Sequence, residues 1–568
     1  MNDKLKRITS AHVKADQESV VFVALGGIGE IGMNLYCYGH NGRWILVDFG
    51  VTFADHHAPG IDIITADIGF LEDKYDQIEA LFITHAHEDH LGALPYLWDL
   101  LAVPIYATPF GAAMARTKLA EVEFEGAQEA IHTVKLGERV QLESFAVTFF
   151  PMTHSTLEAC ALVIDTPLGR IFHTGDWKRD PQPQLGAPID EEALARIGEQ
   201  PIMALIGDST NAMEAGVSGS EDTVRQGLID AVRSCEKGRV IVTCFATNVA
   251  RMLSAIKAAE ACGRQVAVLG RSIHRVLACA REAGYLQDLP PFVSEAELND
   301  YPREKLLLIC TGSQGEGRAA LARLAFKSHH LLKLNADDTV IFSSKTILGN
   351  EGDIARIENA LAKQGVNIID QGLFKVHCTG HPRRDELTWL LQTLKPNLLI
   401  PCHGEYRHLR AHAQLAEQHG YASLVVTNGE VVTITKEGAS IAGELDHHGR
   451  WGVDGNRLFD LAGSVFRERK RMMNNGLVQI SLALNPRGEL LSLPLIQAQG
   501  VFDWDVDDES LLDELAQLLW DCADKQSNKV LQNDKALEDV IRKEARRFIK
   551  ETIQRKPMIE LAILRVKP

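Results

Sequence analysis

Short apolar runs separated by Gly, Pro, Asn and Asp clusters fill the first third of the chain, a pattern that predicts strands over 20–25, 44–48, 80–84, 105–107, 146–151, 161–165 and 170–174. Between some of them, as over 111–120, the spacing of apolar residues is helical. Strands with interspersed helices imply a layered α/β domain. From about residue 218 the texture changes. Helices over 222–236, 248–262 and 272–283 alternate with strands over 239–244, 265–269 and 306–310, the rhythm of βαβ units on a parallel sheet. Strand-like runs carrying histidines return over 365–405, so the middle block reads as an insertion into the first domain. A polar stretch, Asp446-His447-His448-Gly449-Arg450, precedes a linker, and the tail from about 461 has its own strands and a charged helix over 535–555.

The apolar run 78–83 ends in Thr84-His85-Ala86-His87-Glu88-Asp89-His90, four candidate metal ligands within the six residues 85–90. A buried strand ending this way delivers imidazoles and a carboxylate into a loop at the sheet edge. Neutral imidazole and carboxylate suit zinc, and ligands divided between two subsites suggest a pair of ions. His154, Asp176 and His403 each stand just beyond another apolar strand, in the same context as His85. Together these side chains make the inventory of a two-metal centre: nitrogen ligands for each ion and a carboxylate able to bridge them.

Composition sets outer bounds. At 568 residues the chain is too long for one core and suggests about three domains. A net charge of −17 argues against diffuse electrostatic adhesion to nucleic acid, although two metal ions would add positive charge that the count omits. Ten cysteines without a CxxC pair read as reduced thiols of a cytosolic protein, with Cys37, Cys160, Cys244 and Cys310 as buried small hydrophobes. The N-terminus lacks the apolar stretch of a signal peptide, and no apolar run is long enough to span a membrane. A cytoplasmic protein without membrane partners is expected.

The succession His85-x-His87-x-Asp89-His90, His154, Thr174-Gly175-Asp176 and His403 resembles the metallo-β-lactamase superfamily. Gly207-Asp208-Ser209-Thr210-Asn211, Thr311-Gly312-Ser313-Gln314-Gly315-Glu316, Thr379-Gly380-His381 and Pro401-Cys402-His403-Gly404-Glu405 resemble motifs of the β-CASP nucleases. The opening Gly26-Gly27-Ile28-Gly29-Glu30-Ile31-Gly32-Met33-Asn34 narrows the likeness to bacterial ribonuclease J. This resemblance implies an α/β fold: a metallo-β-lactamase αββα sandwich with an inserted β-CASP α/β domain and a small α+β C-terminal domain. The implied boundaries are 1–215 and 366–450 for the sandwich, 216–365 for the insertion, 451–460 for a linker and 461–568 for a C-terminal domain that supports dimerisation.

The same resemblance implies roles. One Zn²⁺ is held by His85, His87 and His154, the other by Asp89, His90 and His403, with Asp176 bridging, and Mn²⁺ or Mg²⁺ substituting in vitro. Asp208 supports a metal-binding histidine from behind, Asp48 buttresses the metal loop, and His381 acts beside the scissile phosphate. Ser313, Gln314, His377, Thr379 and Gly380 form a pocket for a 5′ monophosphate, and Asn248 and Arg251 grip RNA near it. Thr379 and Pro382 stand where serine and alanine are usual, which touches the pocket's geometry but keeps the hydroxyl. The implied activity is 5′→3′ exonuclease and endonuclease cleavage of RNA by a metal-activated hydroxide, in ribosomal RNA maturation and messenger RNA decay. The partners are RNA, a second copy in a homodimer or tetramer, and RNA-decay or ribosome-associated proteins.

Two other classes stay open: another hydrolase on this fold, acting on DNA or small esters, and a non-catalytic RNA-binding subunit. The inserted block and His381 weigh against small-ester hydrolases, and the full set of ligands weighs against a non-catalytic subunit. Gly27-x-Gly29-x-x-Gly32 imitates a dinucleotide fingerprint, but that motif needs a crossover helix. Here 34–38 is strand-like and Gly39-His40-Asn41-Gly42 is a hairpin turn, so the glycines read as a loop passing close to the metals. His56 and His57 read as surface histidines, His173 as a packed one, and the acidic run 503–514 as a solvated loop and helix start.

Overall fold

The computed structural model describes residues 6–54, 58–347, 349–455, 457–503 and 510–566. His56, His57, Asp505, Asp507, Asp508 and Glu509 lie outside the described residues. The chain forms two compact units, Met1–Phe53 with Ile63–Asn456, and Ala54–Asp62 with Arg457–Pro568.

In the first unit two sheets face each other. One contains Val20–Gly26, Leu35–His40, Arg43–Val47 and Ile78–Phe82 as consecutive neighbours, and the other contains Ala146–Pro151, Cys160–Thr166, Gly169–His173, Ile202–Asp208 and Leu398–Cys402. Phe22, Tyr36, Phe82, Phe149, Leu162, Ile206 and Ile400 form one buried core with side chains from both sheets. On the outer face of the second sheet, Leu194, Leu387, Leu390 and Leu415 pack against Phe150, Ala161 and Phe172. These leucines lie on the helices Glu191–Gly198, Arg384–Leu394 and Tyr406–Gln418, whose apolar stripes have no other place to go. The expected hairpin is present: His40 pairs with Arg43, and Asn41 and Gly42 take φ of 51° and 75°, the left-handed pair that matches strand twist.

The insertion is visible in the register. Ile202–Asp208 pairs in parallel with Leu398–Cys402, Leu205 opposite Leu399 and Asp208 opposite Cys402, so the chain leaves the sheet and returns beside its point of exit. Between them stands a parallel sheet in the order Gln265–Leu269, Leu306–Cys310, Val240–Thr243, Thr339–Phe342, Asn367–Ile369, with helices in the connections. Helix ends depart from the expected ones by a residue or two where caps intervene. Asn248, for example, is not helical; its side chain accepts from the Arg251 N–H and starts Val249–Ala261.

The segment 451–460, expected as a linker, contains strand, and the boundary between the two units falls within it. Arg450–Asp454 is a strand pairing antiparallel with Ile63–Ala66, and Arg457–Asp460 is another strand. Trp451 and Val453 suit a pleated, half-buried strand, which the polarity of the neighbouring residues masked. In the second unit Leu477–Leu484 lies between Leu495–Gln499 and Met558–Arg565. Leu515, Leu519, Leu537, Ile541 and Ile549 from Ser510–Asp524 and Asp534–Ile553 cover Val478, Ile480 and Leu482. Among the described residues no helix is long and apolar enough to cross a membrane.

Candidate metal centre

The strand Ile78–Phe82 ends where Asp48 takes over. Asp48 follows Arg43–Val47 with φ 62°, a left-handed turn that ends the strand and points its carboxylate inward. That carboxylate accepts from the Thr84 N–H at 2.8 Å and from its hydroxyl at 2.9 and 3.0 Å, fixing the first residue of the loop. It also accepts from His90 Nδ1 at 2.7 Å. The other imidazoles are held by their outer nitrogens as well: His85 on the Thr84 hydroxyl at 3.0 Å, His154 on the Gly380 carbonyl at 2.6 Å, and His403 on Asn34 Oδ1 at 2.9 Å. Each such bond favours the tautomer protonated at Nδ1, which turns the Nε2 lone pair towards the cluster.

The free nitrogens converge. His87 Nδ1 lies 3.1 Å from both His85 Nε2 and His154 Nε2. Asp176 Oδ2 stands 3.8 Å from His85 Nε2 and 3.9 Å from His154 Nε2. The same oxygen is 3.2 Å from His90 Nε2 and 3.4 Å from His403 Nε2, and Asp89 Oδ2 lies 3.7 and 3.8 Å from those two nitrogens. Two groups of four, His85–His87–His154–Asp176 and Asp89–His90–His403–Asp176, therefore share one carboxylate. Ligands at 2.0–2.1 Å around a tetrahedral ion are separated by about 3.3 Å, close to these spacings. Among the described residues, Asp176 Oδ1 and His403 Nε2 are buried without a hydrogen-bond partner, which a polar atom tolerates when a cation completes it. The donor set fits a pair of borderline divalent ions.

Electrostatics agree with the geometry. Burial pushes His87 down to about 4 and holds His85 and His154 well below the ordinary imidazole range, so all three are neutral, the form that binds metal. Burial opposes ionisation of Asp176, but His403, His90 and His381 outweigh it and hold the carboxyl well below its usual range. Burial likewise opposes charge on His90, and Asp176, Asp48 and Asp89 overcome it, drawing positive charge to that spot.

Asp208 stands at the end of its strand and accepts from His381 Nδ1 at 2.8 Å. Among the candidate ligands it is His90 that rests on a carboxylate, that of Asp48; Asp208 rests on His381 beside them. Burial disfavours the imidazolium of His381, yet Asp208 and Asp176 raise it to about 9. Asn211 secures the same loop from below, donating to the Thr379 hydroxyl at 2.9 Å and the His381 carbonyl at 3.0 Å.

Comparison with known families matches residues 43–241 to the beta-lactamase superfamily domain and 237–361 to the family described as Ribonuclease J, beta-CASP domain. Residues 366–426 match the Zn-dependent metallo-hydrolase RNA specificity domain, and 464–566 match the Ribonuclease J C-terminal domain. Ribonuclease J of Sinorhizobium meliloti is 40% identical, covering 99% of this chain and 100% of that relative. The chain belongs to the ribonuclease J family. Ribonuclease J2 of Bacillus subtilis is 33% identical over 97% of this chain and 100% of its own length, and ribonuclease J of Thermus thermophilus is 33% identical over 96% and 95%. A crystal structure of a protein of unknown function from Enterococcus faecalis shares the fold, with a TM-score of 0.53 at 17% identity over 73% of this chain and 100% of that one. As a member of the ribonuclease J family the chain is a metal-dependent ribonuclease acting on RNA, built as a metallo-β-lactamase domain with β-CASP and C-terminal domains.

Of the residues expected to hold RNA, three are otherwise engaged. Arg251 is fully buried at 0% exposure, its guanidinium locked on Glu221 and Ser343 and turned away from solvent. Asn248 is also buried, its side chain capping a helix. Gln314 uses its amide on the backbone, donating to the Lys345 carbonyl at 3.0 Å and accepting from the Ile347 N–H at 2.8 Å. Ser313, His377, Thr379 and Gly380 remain, on loops knitted together through residues 343–347. Gly380 touches the metal site directly: a Cβ there would stand 2.8 Å from His154 Cε1, so only glycine lets the loop close on that imidazole.

Sequence reasoning missed Asn34 as a site residue. Its Oδ1 accepts from His403 and from the Tyr36 hydroxyl at 2.8 Å, and its Nδ2 donates to the Asp89 carbonyl at 3.0 Å, so one amide braces both ends of a ligand set. The glycines before it were the available signal. A Cβ on Gly27 would stand 2.3 Å from Asn34 Oδ1, and the Gly27 carbonyl accepts the His403 N–H at 2.7 Å.

Asp48→Ala is expected to weaken metal binding by about 10- to 100-fold. It should also destabilise the fold by about 1–3 kcal/mol, because the Thr84 N–H and the His90 ring lose a buried acceptor. Chelator competition and denaturant unfolding measure the two effects; metal affinity equal to wild type refutes the assignment.

Proposed function

We propose that the chain is a two-zinc ribonuclease that degrades RNA 5′→3′ from a 5′-monophosphate end and also cuts internally. The observation that carries this reading is the bond from His154 to the Gly380 carbonyl. It ties the loop bearing His377, Thr379 and His381 to the metal-ligand cluster, so groups suited to a terminal phosphate sit beside groups suited to hydrolysis. His85, His87 and His154 would hold one ion, Asp89, His90 and His403 the other, and Asp176 both. When bound, such a pair supplies Lewis acidity toward phosphate oxygens and lowers the pKa of water towards neutrality. Ser313, His377, Thr379 and the Gly380 backbone offer compact neutral donors to the terminal phosphate. His381, held at Nδ1 by Asp208, presents Nε2 to the departing 3′ oxygen as a proton donor. The products are a 5′ phosphate and a 3′ hydroxyl.

The cellular setting we infer is the cytoplasm, in ribosomal RNA maturation and messenger RNA decay. The chain would pair through its C-terminal unit as a homodimer or tetramer, alongside RNA-decay or ribosome-associated proteins. Incubation with 5′-monophosphate RNA, 5′-triphosphate RNA and matched DNA, with and without chelator, tests the chemistry, and Mn²⁺ or Mg²⁺ can be substituted for zinc in the same assay. Progressive release of mononucleotides from monophosphorylated RNA, abolished by chelator, is expected. Hydrolysis indifferent to chelator, or equal on all three substrates, overturns the reading.

A further inference from the structure

A buried ion-pair network underlies the loop 376–381, and none of its members belongs to the hydrolytic centre. Lys178 Nζ lies 3.1 Å from Asp180 Oδ2 and 3.7 Å from Glu221 Oε1. Arg251 grips both oxygens of Glu221, Nη2 to Oε1 at 2.9 Å and Nε to Oε2 at 3.2 Å. Its remaining nitrogen, Nη1, turns to the loop. It donates to the Ser343 carbonyl and, at 3.0 Å, to the Ser343 hydroxyl, and it lies 3.4 Å from the Val376 carbonyl and from His377 Nδ1.

A guanidinium carries donors only and stays charged. The His377 nitrogen facing it must therefore present a lone pair, because a proton there would set N–H against N–H and against a positive charge. The ring's one proton is left on Nε2. That atom is buried and has no hydrogen-bond partner among the described residues. A buried N–H without an acceptor is unfavourable unless a ligand completes it. Burial, reinforced by Arg251, pushes the His377 imidazole down to about 3, so the ring is a neutral donor at physiological pH.

We infer that Arg251 is a positioning residue for end recognition: held by Glu221, it fixes His377 as the Nε2–H tautomer, whose single N–H meets an oxygen of the terminal phosphate. This rests on the 5′-phosphate reading above. It also gives the buried cation a task that RNA contact cannot, since Arg251 never reaches the surface.

Side-chain amides test the tautomer. A glutamine NH₂ falls near the position of Nε2, and an asparagine NH₂ falls near Nδ1. The readout is kcat and KM of the full-length enzyme on 5′-monophosphate and 5′-hydroxyl RNAs of one sequence. His377→Ala is expected to lower the preference for the monophosphate by roughly 10- to 100-fold, through KM. His377→Gln should keep most of that preference, and His377→Asn should lose it as alanine does. Arg251→Met combined with Glu221→Gln removes the ion pair as a unit and leaves Lys178 on Asp180. It should lower the preference of the wild-type ring yet add nothing in the His377→Gln background.

An unchanged preference in His377→Ala overturns the phosphate pocket itself. Loss in His377→Ala with rescue by asparagine rather than glutamine overturns the tautomer alone. A folded pair variant with undiminished preference overturns the role of Arg251, and if that variant does not fold, the His377 series decides the tautomer.

Discussion

Replacing Asp176 by alanine is expected to lower RNA hydrolysis by about 10⁴-fold or more while the chain stays folded. Asp176 is the one side chain common to every ligand group among the described residues, with Oδ2 between 3.2 and 3.9 Å from the Nε2 atoms of His90, His403, His85 and His154. None of these four histidines can take over its bridging position, because His85, His90, His154 and His403 are each held at Nδ1 by a group outside the cluster. The fold does not depend on this carboxylate to the same degree. The backbone on either side is held independently, by the Thr174 N–H on the Ile206 carbonyl at 3.0 Å and the Lys178 N–H on the Thr153 carbonyl at 2.7 Å. Elemental analysis should find metal content reduced in Asp176→Ala, circular dichroism should find wild-type secondary structure, and single-turnover assays should find almost no product. A metal-poor variant that cleaves RNA at the wild-type rate overturns the proposed centre.

His381→Ala is expected to behave differently, losing about 10²- to 10⁴-fold in kcat while retaining its metals. His381 stands at the rim of the cluster, and its one anchor, Asp208, is not among the proposed ligands. Asp208→Asn is the informative companion. It preserves volume but removes the charge that favours the imidazolium, so the ring becomes a poorer proton donor, with an expected loss of about 10- to 100-fold. Metal content separates the two classes of variant: reduced for Asp176→Ala, unchanged for His381→Ala and Asp208→Asn. If His381→Ala also loses its metals, His381 is a ligand or a support for one and not the proton donor.

Local patterns made the candidate ligands legible. His85, His87, Asp89 and His90 lie on one short loop, and the strand-end positions of His154, Asp176 and His403 were readable because a hydrophobic run ending in a ligand type is itself a local signal. Gly26 and Gly27 mark a close approach, since a Cβ there would meet the Met33 carbonyl or Asn34 Oδ1. Partnership between distant residues was not readable. Asp208 meets His381 across 173 positions, His403 meets Asn34 across 369, and Arg251 meets His377 across 126. Asn248, Arg251 and Gln314 look alike in sequence whether a polar side chain faces RNA or completes an internal network, and only the structure shows their hydrogen bonds spent within the protein.

By itself the sequence determined the kinds of element, the insertion of one α/β block into another, the candidate ligands and the family. Each follows from residue type and spacing along the chain, which local sterics and hydrophobic period translate directly into strands, helices and loops. The tertiary structure alone decided which carboxylate supports which histidine, which cation is locked away from solvent, and that Arg450–Asp454 and Arg457–Asp460 are strands. Those outcomes depend on burial and on hydrogen-bond partners that the fold brings together, and an isolated stretch of chain carries no record of either.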